Sequence, residues 1–213
     1  MRLYCVSGLG ADERVFQFLK LNVEIVPIYW IGINVDESIE SYTKRLTSQI
    51  NQKEAFGILG VSFGGLIAIE LSKILSPMCT IVISSVINKI EIPFFYKLIG
   101  KMRVVNNLPT FMFKAPMFIM NYAFGAKHKI LLKSILDDTD YKFTKWALNE
   151  LFNWQNVDEV RNLLKINGED DKLFKPSKVS KVIKKGGHFM IVDKADKISF
   201  EVNQFLTQFI QRV

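Results

Sequence analysis

The chain has 213 residues, 49% hydrophobic and 23% charged, with 28 lysines and arginines against 21 acids and a formal net charge of +7. Those proportions fit one globular domain with room for an insertion, and they exclude a disordered chain or a coiled coil. The basic excess comes without a zinc-ligand set, a recognition-helix signature or the aromatic–basic interleaving of RNA-binding sheets, so no nucleic-acid partner is expected.

In chain order, Leu3 to Val6 reads as a strand that breaks at Gly8 and Gly10. Asp12 can then cap a helix carrying Val15, Phe16 and Leu19. Val23 to Tyr29 is a second strand, and Asp36 is expected to cap a helix with Ile39, Tyr42, Leu46 and Ile50 on one face. Phe56 to Val61 is a third strand that runs directly into Ser62, and Leu66 to Leu75 is apolar nearly all round, as in a helix buried against a sheet. Thr80 to Ser85, Leu163 to Ile166 and Lys181 to Lys184 supply three more strands. A last helix starts near Asp196 and shows Ile198, Val202, Phe205, Phe209 and Ile210 on one side.

Alternation of apolar strands and helices predicts an α/β fold with a mostly parallel six-stranded sheet covered on both faces. The core is expected over 1–86 and 161–213. Residues 87–160 are too many for a structureless loop. They hold Pro93, Pro109, Pro116 and a convincing helix near Tyr141 to Trp154, and are expected to form a helical cap. The most apolar stretch, Leu108 to Gly125, is interrupted by Pro109, Lys114 and Pro116, so no membrane span is expected.

The strongest local signal is Gly60-Val61-Ser62-Phe63-Gly64-Gly65. A serine between strand and helix sits on a strained turn that exposes its oxygen above the sheet. A capping serine in a phosphate site is the bland alternative, but neither Gly-Lys-Ser/Thr nor G-x-G-x-x-G is present. A hydroxyl needs a base. Of the two histidines, His188 follows the sixth strand, at the carboxyl end where a parallel sheet gathers its reacting groups. His128 lies among lysines and reads as a surface residue. The base needs a carboxylate. Glu169, Asp170 and Asp171 all close the fifth strand, with Glu91 a distant fourth candidate. Backbone N–H groups of Phe63 and of Leu9, in the glycine-flanked first loop, would hold an oxyanion.

Together Ser7-Gly8-Leu9-Gly10, Gly60 to Gly64, Gly168 to Asp171 and Gly187-His188 resemble the α/β-hydrolase superfamily, in particular its small single-domain esterase-like members. The resemblance spans almost the whole chain. It implies strand order 2-1-3-4-5-6, with the strands numbered along the chain, and a triad of Ser62, Asp171 and His188, because aligning on Gly168 puts the acid at Asp171. Two motif residues depart from it. Ser7 stands where the family's first loop usually has histidine, and Asn167 stands where its acid motif commonly has one. The usual N-terminal antiparallel strands are missing, so the sheet is reduced. Asp171 and His188 are only seventeen positions apart, which leaves no room for a full helix between them.

The implied activity is hydrolysis of a carboxylic ester or thioester with an apolar group, through an acyl-enzyme on Ser62 and with no metal or organic cofactor. Rivals are another reaction on the same triad (lyase, acyltransferase, carbon–carbon hydrolase) and a non-catalytic small-ligand binder. The cap's many large apolar residues, with Phe111, Phe118 and the tryptophan at the Trp146–Ala147 step chosen as substrate contacts, are expected to form an oily pocket. Lysine runs such as Lys172–Lys175–Lys178 and Lys181–Lys184–Lys185 read as solvated surface. The alternative is an anionic partner, either a membrane surface or a phosphate-bearing acyl carrier. Cys5 and Cys79 sit in strand-like runs, as buried free thiols of a reducing, cytoplasmic compartment would. The short apolar N-terminus does not read as a secretory signal. The oligomeric state is left open.

Overall fold

The computed structural model describes residues 1–110 and 117–210. Six strands pair in one parallel sheet: β1 (Arg2–Val6), β2 (Glu24–Ile28), β3 (Phe56–Val61), β4 (Thr80–Ile83), β5 (Leu163–Gly168) and β6 (Lys181–Ile183). Their order is β2-β1-β3-β4-β5-β6, so the direction of winding reverses after β2. Every pairing is parallel, with Val6 opposite Gly60 and Val61 opposite Ile83.

Strand geometry explains why the strands are apolar throughout. Successive side chains point to opposite faces, and helices cover both. Leu3 and Cys5 of β1 enter one core, with Leu59, Ile81 and Ile166. Tyr4 and Val6 enter the other, with Ile58 and Val82. The first core is closed by α6 (Lys129–Asp137), the short α8 (Met190–Asp193) and α9 (Ala195–Ile210). The second is closed by α1 (Ile39–Leu46), α2 (Phe63–Leu75) and α7 (Tyr141–Asn153). Both cysteines are free and buried, and burial pushes the Cys79 thiol up to about 12.

Local chemistry shifts some expected boundaries. Asp12 does cap the first helical segment, but that segment is a single 3-10 turn, Glu13–Phe16. The cap of α1 is Ser38, which accepts from the Ser41 N–H, whereas Asp36 holds a left-handed turn at φ 52°. In α9 the buried stripe is Ile198, Val202, Leu206 and Phe209, while Ile210 is exposed. A fourfold step from Val202 reaches Leu206 and not Phe205, which is only partly buried.

Between β4 and β5 lie α3 (Phe94–Lys101), α4 (Val104–Asn107), α5 (Met117–Phe124), α6 and α7. The stretch is tied to the core by a buried ion pair, Lys165 on β5 to Glu91 at 2.6 Å. Among the described residues no helix is long and apolar enough to cross a membrane.

Candidate active site

Ser62 occupies the corner between β3 and α2 with φ 54° and ψ −123°, a conformation that costs a non-glycine residue about 1–3 kcal/mol. The surroundings hold it there. Its N–H donates to the Ile83 carbonyl at 2.9 Å, and its carbonyl accepts from Ser85 Oγ at 2.6 Å and from the Gly65 N–H at 2.8 Å. The glycines of this corner are packing requirements. A Cβ on Gly60 would stand 2.1 Å from the Gly64 carbonyl oxygen, and one on Gly64 would stand 2.2 Å from that of Ser7. β1, β3 and α2 therefore meet backbone to backbone, and the first loop lies beside the serine.

His188 Nε2 lies 2.9 Å from Ser62 Oγ, and Nδ1 lies 2.9 Å from Asp171 Oδ2. A carboxylate can only accept, so Nδ1 carries the proton and Nε2 is free to accept from the serine hydroxyl. Asp171 is held in turn: its Oδ1 accepts the N–H groups of Leu173 and Phe174. Both Asp171 and His188 are buried. The other acids go elsewhere. Glu169 accepts from the Lys185 N–H, and Glu91 is engaged by Lys165.

The short chain between acid and base is bridged by glycine. A Cβ on Gly168 would lie 2.2 Å from the Gly186 carbonyl oxygen, so the two loops touch through their backbones. The Asp170 N–H donates to that same carbonyl at 2.9 Å. Asn167, at the family's histidine position, is fully buried and acts as a brace: its amide donates to the carbonyls of Ser85 and Phe174, and its oxygen accepts from Ser180 Oγ.

The first loop is pinned at several points. Ser7 Oγ donates to the Ala11 carbonyl at 2.7 Å, and the Trp30 indole N–H reaches the same pair of oxygens. Gly10, at φ 70°, accepts from Thr139 Oγ1 at 3.2 Å. Arg14 joins Asp12 to Asp138 and Ser134 on the far side of the loop. Leu9 and Phe63 border the same cavity as Ser62 and His188, and the N–H of Phe63, first in α2, has no partner within the helix.

That cavity has a volume of about 670 Å³. Its floor is the Ser62–His188 pair, and its walls are mostly apolar: Tyr96, Met117, Met120, Phe124, Leu148 and Phe152 among others. Phe124 also stands edge-on to the His188 ring, with centroids 5.2 Å apart. Two residues expected at the substrate do not line this cavity. Phe118 lies on the outer face of α5, 73% exposed. Trp146 packs on Tyr42 and Phe63 and donates to the Glu37 carbonyl, and Ala147 beside it is buried in the same core. In α7 the residues at Thr144, Leu148, Leu151 and Phe152 face the cavity. The spacing of three and four from Thr144 was the available signal. Phe111 lies outside the described residues. Thr139 and Tyr96 carried no motif. His128 precedes α6, exposed and apart from Ser62. Among the described residues no group of three His, Cys, Asp or Glu is placed to hold a metal.

An elbow serine after β3, an acid after β5, a histidine after β6 and the 2-1-3-4-5-6 parallel order define the α/β-hydrolase fold, and the chain has that fold. Solved structures agree. The chain is similar to a thermophilic esterase from Thermogutta terrifontis (TM-score 0.74, 12% identity, 98% of this chain and 90% of that one). It is similar to a hydrolase from Oleispira antarctica (0.71, 15%, 100% and 91%) and to RedJ, a thioesterase from the prodiginine biosynthetic pathway in Streptomyces coelicolor (0.68, 16%, 97% and 90%). No protein-family model and no curated protein sequence matches the chain.

Proposed function

We propose that this protein is a serine hydrolase of carboxylic esters or thioesters, with Ser62 as nucleophile, His188 as general base and Asp171 as the residue that orients the base. The observation that carries the reading is the continuous contact Asp171–His188–Ser62 at the bottom of an apolar cavity. Esterases and a thioesterase among the structural neighbours support it.

In this reading Ser62 Oγ attacks the acyl carbon while His188 Nε2 takes the hydroxyl proton. The carbonyl oxygen becomes an oxyanion held by the N–H groups of Leu9 and Phe63. Collapse breaks the bond to the alkoxide or thiolate, which leaves with the proton from His188. Water, deprotonated by the same imidazole, then attacks the acyl-serine and releases the acid. Asp171 keeps its charge throughout and stabilises the imidazolium. Residues 87–160 serve as a cap whose inner face, Met117, Met120, Phe124 and Leu148, receives the apolar group of the substrate.

The test is a panel of acyl esters and acyl thioesters of graded length, run beside Ser62→Ala. Turnover by the native protein, lost in the folded variant, supports the assignment. Ligand binding with no turnover of any member would favour a binding protein instead.

A further inference from the structure

The helices that wall the cavity with one face turn another face to solvent, and that face is oily. On α3 and just beyond it, Phe94, Phe95, Leu98 and Met102 are exposed, Phe94 by 79%. On α5 the same holds for Phe118, Ile119 and Tyr122. Isolated exposed apolar residues need no explanation, but seven of them on and just beyond two helices that wall one cavity do.

The stretch of chain that carries these helices is also basic. Residues 87–136 hold eight lysines and arginines and one acid, Glu91. That acid is already taken by buried Lys165, and acids resume only at Asp137, which pairs with Lys133. The excess of seven in these fifty residues equals the net charge of the whole chain, so the remainder is balanced. Lys101 and Arg103 are exposed beside Met102, and Lys172 sits over the Tyr122 ring. Helices with exposed Phe and Leu on one side, flanked by cations, are the pattern of interfacial segments lying in the headgroup region of a bilayer.

We propose that the outer face of α3 and α5 docks on an anionic phospholipid surface, with Phe94, Phe95, Leu98, Phe118 and Ile119 entering the headgroup–acyl boundary and the lysines facing lipid phosphate. This goes beyond the chemistry at Ser62 and does not depend on it. An acidic carrier protein is the competing occupant. Protein interfaces are depleted in lysine and match both signs of charge across a polar rim. Here residues 87–136 carry seven lysines, one arginine and a single acid already paired with Lys165, so the stretch has cations without acids to match them, which favours lipid.

The experiment is co-sedimentation of the full chain with vesicles of phosphatidylcholine alone and of phosphatidylcholine mixed with phosphatidylglycerol. Binding is expected only to the mixed vesicles, and it should weaken as salt rises. Lys101→Glu/Arg103→Glu should lower the partition coefficient by about thirtyfold or more, from the contribution of each cation near an anionic surface. Phe94→Ser/Phe95→Ser should lower it at least about tenfold through lost apolar burial. Lys44→Glu/Lys53→Glu changes net charge equally on α1 and the loop before β3, and should leave it nearly unchanged. All three variants alter exposed side chains and should keep the native unfolding midpoint. Failure to bind mixed vesicles would overturn the proposal. So would equal loss in the two charge-reversed variants, or binding to an acidic carrier protein with none to vesicles.

Discussion

The sheet and the stretch between β4 and β5 bury comparable kinds of side chain by different means. In the sheet each residue has one of two directions, and both lead into a core, so Leu3 and Cys5 part from Tyr4 and Val6 without ambiguity. In the helices of the inserted stretch a side chain has a full circle of directions and at least three destinations: core, cavity and solvent. Phe143, Leu148 and Phe94 take one each, in residues of similar hydrophobicity. Ser62, Asp171 and His188 sit at strand ends where glycines let backbones meet directly. The cavity wall contributed by the helices between β4 and β5 is a mixture of Met, Phe, Leu and Tyr.

The largest effects are expected at Ser62, His188 and Asp171. His188→Ala should lower turnover by about 10⁴ to 10⁶, and adding Ser62→Ala should cost little more, because the pair acts as a unit. Steady-state rates on an activated ester check both. Asp171→Asn keeps the shape but can leave Nδ1 without its proton, and should lower kcat by about 10⁴ with native stability.

The joint between the two regions comes next. Glu91→Gln leaves Lys165 charged and buried at the centre of β5 without its carboxylate, and chemical unfolding should show a loss of about 3 kcal/mol. Burial already holds the Lys165 amine below its usual value despite the pairing. A loss within the noise of the measurement would mean that the inserted stretch is not anchored there.

Thr139 donates to the Gly10 carbonyl of the first loop, and in the proposed mechanism it is a positioning residue for the oxyanion donor Leu9. Thr139→Val should lower kcat by about tenfold while KM holds, since the loop's N–H groups act on the transition state, and Thr139→Ser should restore most of it. An unchanged kcat, or a change in KM alone, would assign Thr139 to the pocket wall. The smallest effect is on the cavity wall itself. With about 0.8 kcal/mol per buried methylene, kcat/KM should rise several-fold per two acyl carbons until the cavity is filled. Leu148→Phe, which adds volume at the wall, should move that optimum to shorter chains.

What the sequence made legible follows the same division. The Ser62–His188 pair could be read because a strand-borne serine among glycines and a histidine at a strand end each have few physical explanations, whereas the strand order and the choice of Asp171 among three acids came from the resemblance to α/β-hydrolases. The Gly168 register singled out Asp171 over its two neighbours, and the loop geometry explains why: Asp171 turns inward under the N–H groups of Leu173 and Phe174 while Glu169 faces Lys185. The cap of α1 at Ser38 and the destinations of Phe118 and Trp146 were not legible. A capping residue is decided by a few degrees of backbone, and a helical aromatic by which neighbour arrives first. Trp146 found Tyr42 and Phe63, whereas Leu148, two positions on, found the cavity. The exposed apolar face of α3 and α5 was not legible either, because only the fold decides which of many helical Phe and Ile side chains meet solvent.

In the proposed mechanism one serine, Ser62 on the elbow, forms the covalent intermediate. Treatment of the native protein with a fluorophosphonate, followed by intact mass and peptide mapping, tests it directly. A single phosphonyl group per chain is expected, carried by Ser62, with ester turnover falling in proportion to the label. A label on another residue, or continued turnover with Ser62 fully modified, would contradict it.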